Sequence, residues 1–323
     1  MAAADTRAGG RVDRVLSGDA RALSQLLRDL DDGWPAARAD LRALYGRTGQ
    51  AQIIGITGNP GVGKSTLVDG LITRYRARGL RVGVVAVDPT SPYSGGALLG
   101  DRIRMQRHAT DDGVFIRSLA TRGQVGGLSR STVDVAAALD AAGFGVVIIE
   151  TVGVGQDEID VVTAADTVVV VTAPGLGDDV QALKAGILEI ADILVVNKGD
   201  RDGADRALKD LTSMLELALA QPGRTPVTLL RAVAATGEGV DELVAALDQR
   251  RHLPDEVRAA RRRQQAQAQL VAIVGDLQRR ALRAALGAAD APGPLAHLVD
   301  AVAARTLDPH SAALAVLSAG IFR

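Results

Sequence analysis

Cysteine is absent from the chain, which excludes disulfides and thiolate metal ligands. The four histidines, His108, His252, His297 and His310, are scattered and read as surface or core residues rather than a metal cluster. Aromatic residues make up only 2% against 47% hydrophobic residues, so any core must be aliphatic. Neither charge sign dominates: 37 Lys and Arg face 38 Asp and Glu, a net charge of −1. That balance argues against a nucleic-acid partner, which favours a basic excess. No apolar run approaches the roughly 18–20 residues that span a bilayer. Met1–Arg14 shows no apolar signal core. The expectation is a cytoplasmic protein without a membrane segment.

What the chain does have is short, valine-rich runs bounded by Gly, Pro or Asp, the pattern of buried parallel strands. Strands are expected over 52–57, 81–87, 114–118, 145–150, 167–172, 193–197 and 226–233. Helical spacing fills 64–78, 129–142, 178–189 and 204–219 between them. Alternation of this kind builds βαβ units, with ligands at the carboxyl ends of the strands. Ahead of the strands, Val15–Leu30 and Ala36–Tyr45 read as helices broken at Trp34-Pro35. After Pro254 the strands stop, and Asp255–Leu286 reads as one long helix, followed by helical patterns near 295–304 and 311–317. Its Arg261-Arg262-Arg263 run reads as a solvated face or as an arm for self-association. The expected division is a helical extension over 1–50, an α/β domain over 51–252 and a helical arm over 253–323.

Gly58-Asn59-Pro60-Gly61-Val62-Gly63-Lys64-Ser65 fits G-x-x-x-x-G-K-[ST] and sits between an expected strand and an expected helix. Gly61 and Gly63 let the backbone curl so that several N–H groups face one anion. The helix N-terminus adds partial positive charge. Lys64 is expected on the β- and γ-phosphates, Ser65 on Mg²⁺ and Thr66 near the α-phosphate. The fold class is therefore a P-loop NTPase: a mostly parallel sheet flanked by helices, with helical extensions at both ends.

Asn197-Lys198-Gly199-Asp200 closes another apolar strand and fits the N-K-x-D pattern. The Asp200 carboxylate can accept from guanine N1–H and the 2-amino group, whereas adenine would leave it unpaired, a cost of several kcal/mol. Lys198 can lie over the base and Asn197 can tie loops together. Val233-Ala234-Ala235 occupies the place of an S-A-x turn, with Ala234 N–H the expected donor to the guanine carbonyl oxygen.

Three carboxylates, Asp88, Asp101 and Glu150, stand at strand ends or in loops near the phosphate turn. Alone, Asp88 or Asp101 reads as a cap or turn residue; beside a phosphate loop they suggest a hydrated Mg²⁺. Glu150-Thr151-Val152-Gly153 stands where many GTPases carry D-x-x-G, so Gly153 N–H is expected to sense the γ-phosphate. Val154 follows, where signalling GTPases place a water-orienting glutamine. Slow intrinsic hydrolysis is the expectation.

With Gly58–Thr66, Asp88-Pro89-Thr90-Ser91-Pro92, Gly95–Arg102, Ser118–Gly123 and Glu150–Gln156, the chain resembles the methylmalonyl-CoA mutase-associated GTPases of the MeaB type, formerly called LAO/AO transport system kinases or ArgK. The resemblance spans roughly residues 12–323. It implies a GTPase chaperone that gates adenosylcobalamin loading of an acyl-CoA mutase and protects that enzyme, and a homodimer built through the C-terminal arm. It assigns Lys64, Ser65, Asp88, Asp101 and Glu150 to phosphate and metal, and Asn197, Lys198 and Asp200 to guanine. It makes Pro174–Lys184 a mobile coupling loop, with Gln181 and Lys184 as contacts to the mutase; read alone, that stretch is a helix start capped by Asp178. Ser94, Ala97 and Val233 depart from the family's usual Thr, Ser and Ser.

Three rivals compete. A deviant-Walker ATPase needs lysine where Asn59 stands. A nickel-delivery GTPase usually carries Cys-His motifs or a His-rich tract. A stand-alone amino-acid kinase needs a recognition pocket that no motif here suggests.

Overall fold

A computed structural model describes residues 5–88, 106–108, 110–120, 130–151, 157–175, 190–219, 226–288 and 291–320. The described residues divide into two compact units, Met1–Arg262 and Arg263–Arg323.

In the first unit, seven strands form one parallel sheet: β1 (Gln52–Thr57), β2 (Val82–Asp88), β3 (Val114–Ala120), β4 (Val146–Thr151), β5 (Thr167–Thr172), β6 (Ile193–Val196) and β7 (Thr228–Arg231). Their order is β3-β2-β4-β1-β5-β6-β7. β1 lies centrally, paired to β4 through Ile56↔Glu150 and to β5 through Thr57↔Val170. Every residue of β4, β5 and β6 is buried, as a sheet covered on both faces requires. Each Val or Ile buried this way contributes about 1.5–3 kcal/mol relative to exposure.

One face carries α4 (Lys64–Ala77) and α8 (Val240–Arg251), sealed by Leu67, Leu71, Tyr75, Leu243 and Leu247. The other carries α5 (Arg130–Ala141), α6 (Asp157–Ala164) and α7 (Ala204–Leu219). The N-terminal helices α1 (Asp5–Leu16), α2 (Ala20–Asp31) and α3 (Pro35–Leu44) join this second layer, their Leu23, Leu26, Leu27, Leu30 and Leu44 sharing its core with Val135 and Leu139 of α5. No helix among the described residues is long and apolar enough to cross a membrane.

Two boundaries differ from expectation. The expected helix over Val15–Leu30 is split, because Gly18 adopts φ +87 and Asp19 caps α2, accepting from Arg21 N–H and Ala22 N–H. β7 is shorter than the expected 226–233; it is the sheet's edge and only half-buried. The expected helix over 178–189 lies outside the described residues.

The second unit contains most of α9 (Asp255–Leu286), the hairpin β8 (Gly287–Ala288) and β9 (Ala291–Pro292), α10 (Ala296–Ala303) and α11 (Pro309–Ser318). The division at 262 thus falls inside α9. Leu282, Leu286, Leu298, Val302 and Val316 line an aliphatic cavity of about 550 Å³ in this unit. Leu270, Val271, Val274 and Leu277 of α9 are exposed.

Asp140 of α5 fastens the connection into β1. Its buried carboxylate accepts from Gln50 N–H at 3.1 Å and Ala51 N–H at 2.8 Å, and also from Gly49 N–H. Asp140→Ala strands these donors and should lower unfolding free energy by about 2–4 kcal/mol. A urea titration checks this: the midpoint should fall with an unchanged slope, and an unmoved midpoint would refute the role.

Candidate nucleotide site

The site grows from the carboxyl end of β1. Gly58 leaves the strand at φ +133, and a side chain there would collide with the Val171 carbonyl oxygen of β5. Gly63, at φ +98, ends the turn as the N-cap of α4, and a Cβ there would strike the Asn197 carboxamide. Between them the loop turns back on itself and delivers the positive end of α4 to its mouth. Lys64, buried at the first position of α4, donates to Gly58 O at 2.6 Å and Asn59 O at 3.0 Å. Asn59 is half-buried, Pro60 and Gly61 are exposed, Val62 is buried and Thr66 is exposed.

Beside Lys64, the Ser65 hydroxyl donates to Glu150 Oε1 at 2.7 Å, with both side chains buried. The strand pairing β1·β4 sets this meeting, since it places Glu150 level with Ile56 just behind the turn. Next to it, the Thr151 and Thr57 hydroxyls lie 2.8 Å apart. Asp88 closes β2, and its side chain is outside those described. Asp101 and Gly153 lie outside the described residues, as do Gln181 and Lys184. Among the described residues no three His, Asp or Glu side chains gather as a metal cluster.

The turn 106–108, beyond the Asp101 stretch, is tied to α4. His108 Nε2 lies 2.9 Å from Asp69 Oδ1, and the Arg107 guanidinium pairs with the same carboxylate. Burial first, and Arg107 second, hold the His108 pKa below its ordinary value. His108 is thus an anchor for that turn, a role its sequence context did not disclose.

Asn197, at the end of β6, draws the second half of the site onto the first. Its buried carboxamide donates to Val62 O at 2.8 Å and accepts from Ala234 N–H at 2.9 Å. Lys198 Nζ reaches Gly61 O at 2.6 Å. The Ala234 N–H, expected to serve guanine, donates here to Asn197 Oδ1. Ala235 is exposed in the same turn. Val233 N–H bonds to Glu238 O at 2.9 Å, so its backbone holds the turn closed and a serine hydroxyl is not needed for that. Asp200 is exposed beyond Gly199, whose N–H donates to Ala232 O at 2.9 Å.

A Walker-type phosphate turn and an N-K-x-D loop thus share one asparagine. The family model described as methylmalonyl Co-A mutase-associated GTPase MeaB matches residues 20–286. The chain belongs to this MeaB family. A Pyrococcus horikoshii protein named as a candidate GTPase is 47% identical over 311 residues, covering 95% of this chain and 96% of that one. The fused isobutyryl-CoA mutase of Cupriavidus metallidurans is 40% identical over 213 residues, 64% of this chain but 19% of that much longer one. The crystal structure of an LAO/AO transport system kinase superposes with a TM-score of 0.70 at 25% identity, covering 98% of each chain. The fold of this MeaB-family chain is accordingly that of a P-loop NTPase with helical extensions at both ends.

Gly63→Ala tests the turn. Strain at this φ costs about 1–3 kcal/mol, before the overlap with Asn197 is counted. GDP affinity by calorimetry should drop by about tenfold or more while the circular dichroism spectrum is unchanged. Wild-type affinity would contradict the geometry.

Proposed function

We propose that this chain binds GTP and GDP with Mg²⁺, hydrolyses GTP slowly, and serves as a chaperone to an adenosylcobalamin-dependent acyl-CoA mutase, methylmalonyl-CoA mutase being the favoured partner. The observation that carries the nucleotide half is the Asn197 bridge, which joins Val62 of the phosphate turn to Ala234 of the base turn. A triphosphate bound along the α4 N-terminus then presents its base to Asp200. Asp200 accepts from guanine N1–H and the 2-amino group, and Lys198 covers the base. The exposed Ala235 offers the N–H for the guanine carbonyl oxygen in place of Ala234.

Ser65 and Glu150 fit a magnesium ion: both offer oxygen only, and they already lie in hydrogen-bonding contact. A magnesium ion held by these two residues would supply positive charge to offset that of the bound phosphates. Asp88 and Asp101 are the further carboxylates that would help hold such an ion. Lys64 exchanges its carbonyl contacts for phosphate oxygens, and Gly153 N–H senses the γ-phosphate. Val154 cannot orient water, so a partner or a rearranged loop supplies that group and the isolated chain turns over slowly.

The mutase partner is supported by the family's description and by the relative whose name is a fused isobutyryl-CoA mutase. Gln181 and Lys184 are the proposed coupling contacts. The homodimer is supported by the exposed Leu270, Val271, Val274 and Leu277 of α9, an apolar face of the kind that partners cover.

The test is affinity capture of methylmalonyl-CoA mutase by this protein loaded with GDP or with a non-hydrolysable GTP analogue. Capture should depend on the nucleotide, and GTP should yield inorganic phosphate with no phosphorylated amino acid. No capture in either state would remove the partner; a phosphorylated amino acid would restore the kinase reading.

A further inference from the structure

The loop that carries Asp200 is held in a conformation its own residues disfavour. Lys198 has φ +54, a left-handed value that a non-glycine residue keeps only when its surroundings enforce it. From the phosphate side, enforcement comes from Asn197 on Val62 and from Lys198 Nζ on Gly61. From the other side it comes from Arg231, the last residue of β7. One guanidinium nitrogen donates to Gly199 O and the other to Asp205 Oδ1, at 2.9 Å, on α7. The Arg231 stem lies directly against Gly199, where an added Cβ would stand 2.6 Å from Cγ and 2.8 Å from Nε. Gly199 is thus held through both of its backbone polar groups, its N–H by Ala232 O and its carbonyl by Arg231. That carbonyl belongs to the peptide that leads into Asp200.

An exposed Arg231–Asp205 pair would contribute little as a surface salt bridge. A charged donor on a loop carbonyl does something else: it fixes the plane of a peptide. We infer that Arg231 is a positioning residue for base recognition, setting the peptide from which the Asp200 carboxylate reads guanine. Arg231 belongs to no nucleotide motif; it acts through Gly199 without touching the ligand. This also accounts for the small residue between Lys198 and Asp200, since any side chain there would displace the arginine stem. The inference rests on the guanine role proposed for Asp200.

The experiment compares GDP with IDP, whose base lacks the 2-amino group that Asp200 accepts. Dissociation constants and off-rates are measured with Mg²⁺ for wild type, Arg231→Ala, Arg231→Lys and Asp200→Ala, each with a urea midpoint. Wild type should prefer GDP. Arg231→Ala should narrow that preference by about tenfold, the weight of one hydrogen bond to a charged group, chiefly through a faster GDP off-rate at an unchanged midpoint. Arg231→Lys should recover only part, because an ammonium lacks the planar fork that reaches both acceptors. Equal losses for GDP and IDP together with a fallen midpoint would make Arg231 merely structural and overturn the inference. If Asp200→Ala abolishes the preference while Arg231→Ala leaves it intact, this inference alone fails. If Asp200→Ala leaves the preference intact, the guanine reading fails beneath it.

Discussion

The buried carboxamide of Asn197 is the joint on which the site depends. Its donor meets the Val62 carbonyl and its acceptor meets the Ala234 N–H, so one side chain locks the phosphate turn to the base turn. A carboxamide is suited to this because it offers a donor and an acceptor a fixed distance apart. Both contacts are buried, where an unmade hydrogen bond costs about 1–3 kcal/mol. Loss of either partner would therefore loosen two loops at once. The need for glycine at 63, beyond its φ of +98, follows from the same constraint, because the carboxamide occupies the space a side chain would need.

The platform beneath is an aliphatic parallel sheet. β1 and β4 deliver Ser65 and Glu150 to each other, and β6 delivers Asn197 to the turn that follows β1. Valine and isoleucine suit such strands because their restricted rotamers pack on a pleated surface. The chain's shortage of aromatics is met by aliphatic density, with Tyr75 the largest fully buried side chain among the described residues.

Much of this architecture is legible in the amino-acid sequence. The strands were legible because both faces of the sheet are covered, which turns them into uninterrupted apolar runs. The phosphate turn and the N-K-x-D loop were legible because their chemistry forces particular residues into fixed spacing. What escaped notice were contacts between segments far apart in sequence. Asp140 reaching back to the Gly49–Ala51 amides leaves no periodic trace, and neither does Arg231 bracing Gly199. The break at Gly18-Asp19 was hidden because apolar spacing continues across it, although the Gly-Asp pair is itself a stop and start signal. At Ala234, likewise, sequence shows a donor but not the Asn197 oxygen that accepts from it.

The central claim is that a phosphate turn and a guanine-reading carboxylate share one ligand. Titration calorimetry of the full-length protein with Mg²⁺ against GDP, GTP, ADP and ATP tests it most directly. The account predicts one site per chain, with the guanine nucleotides bound at least about a hundredfold more tightly, since adenine leaves a charged acceptor unpaired. Equal affinity for ADP and ATP, or no uptake of GDP and GTP, would contradict it.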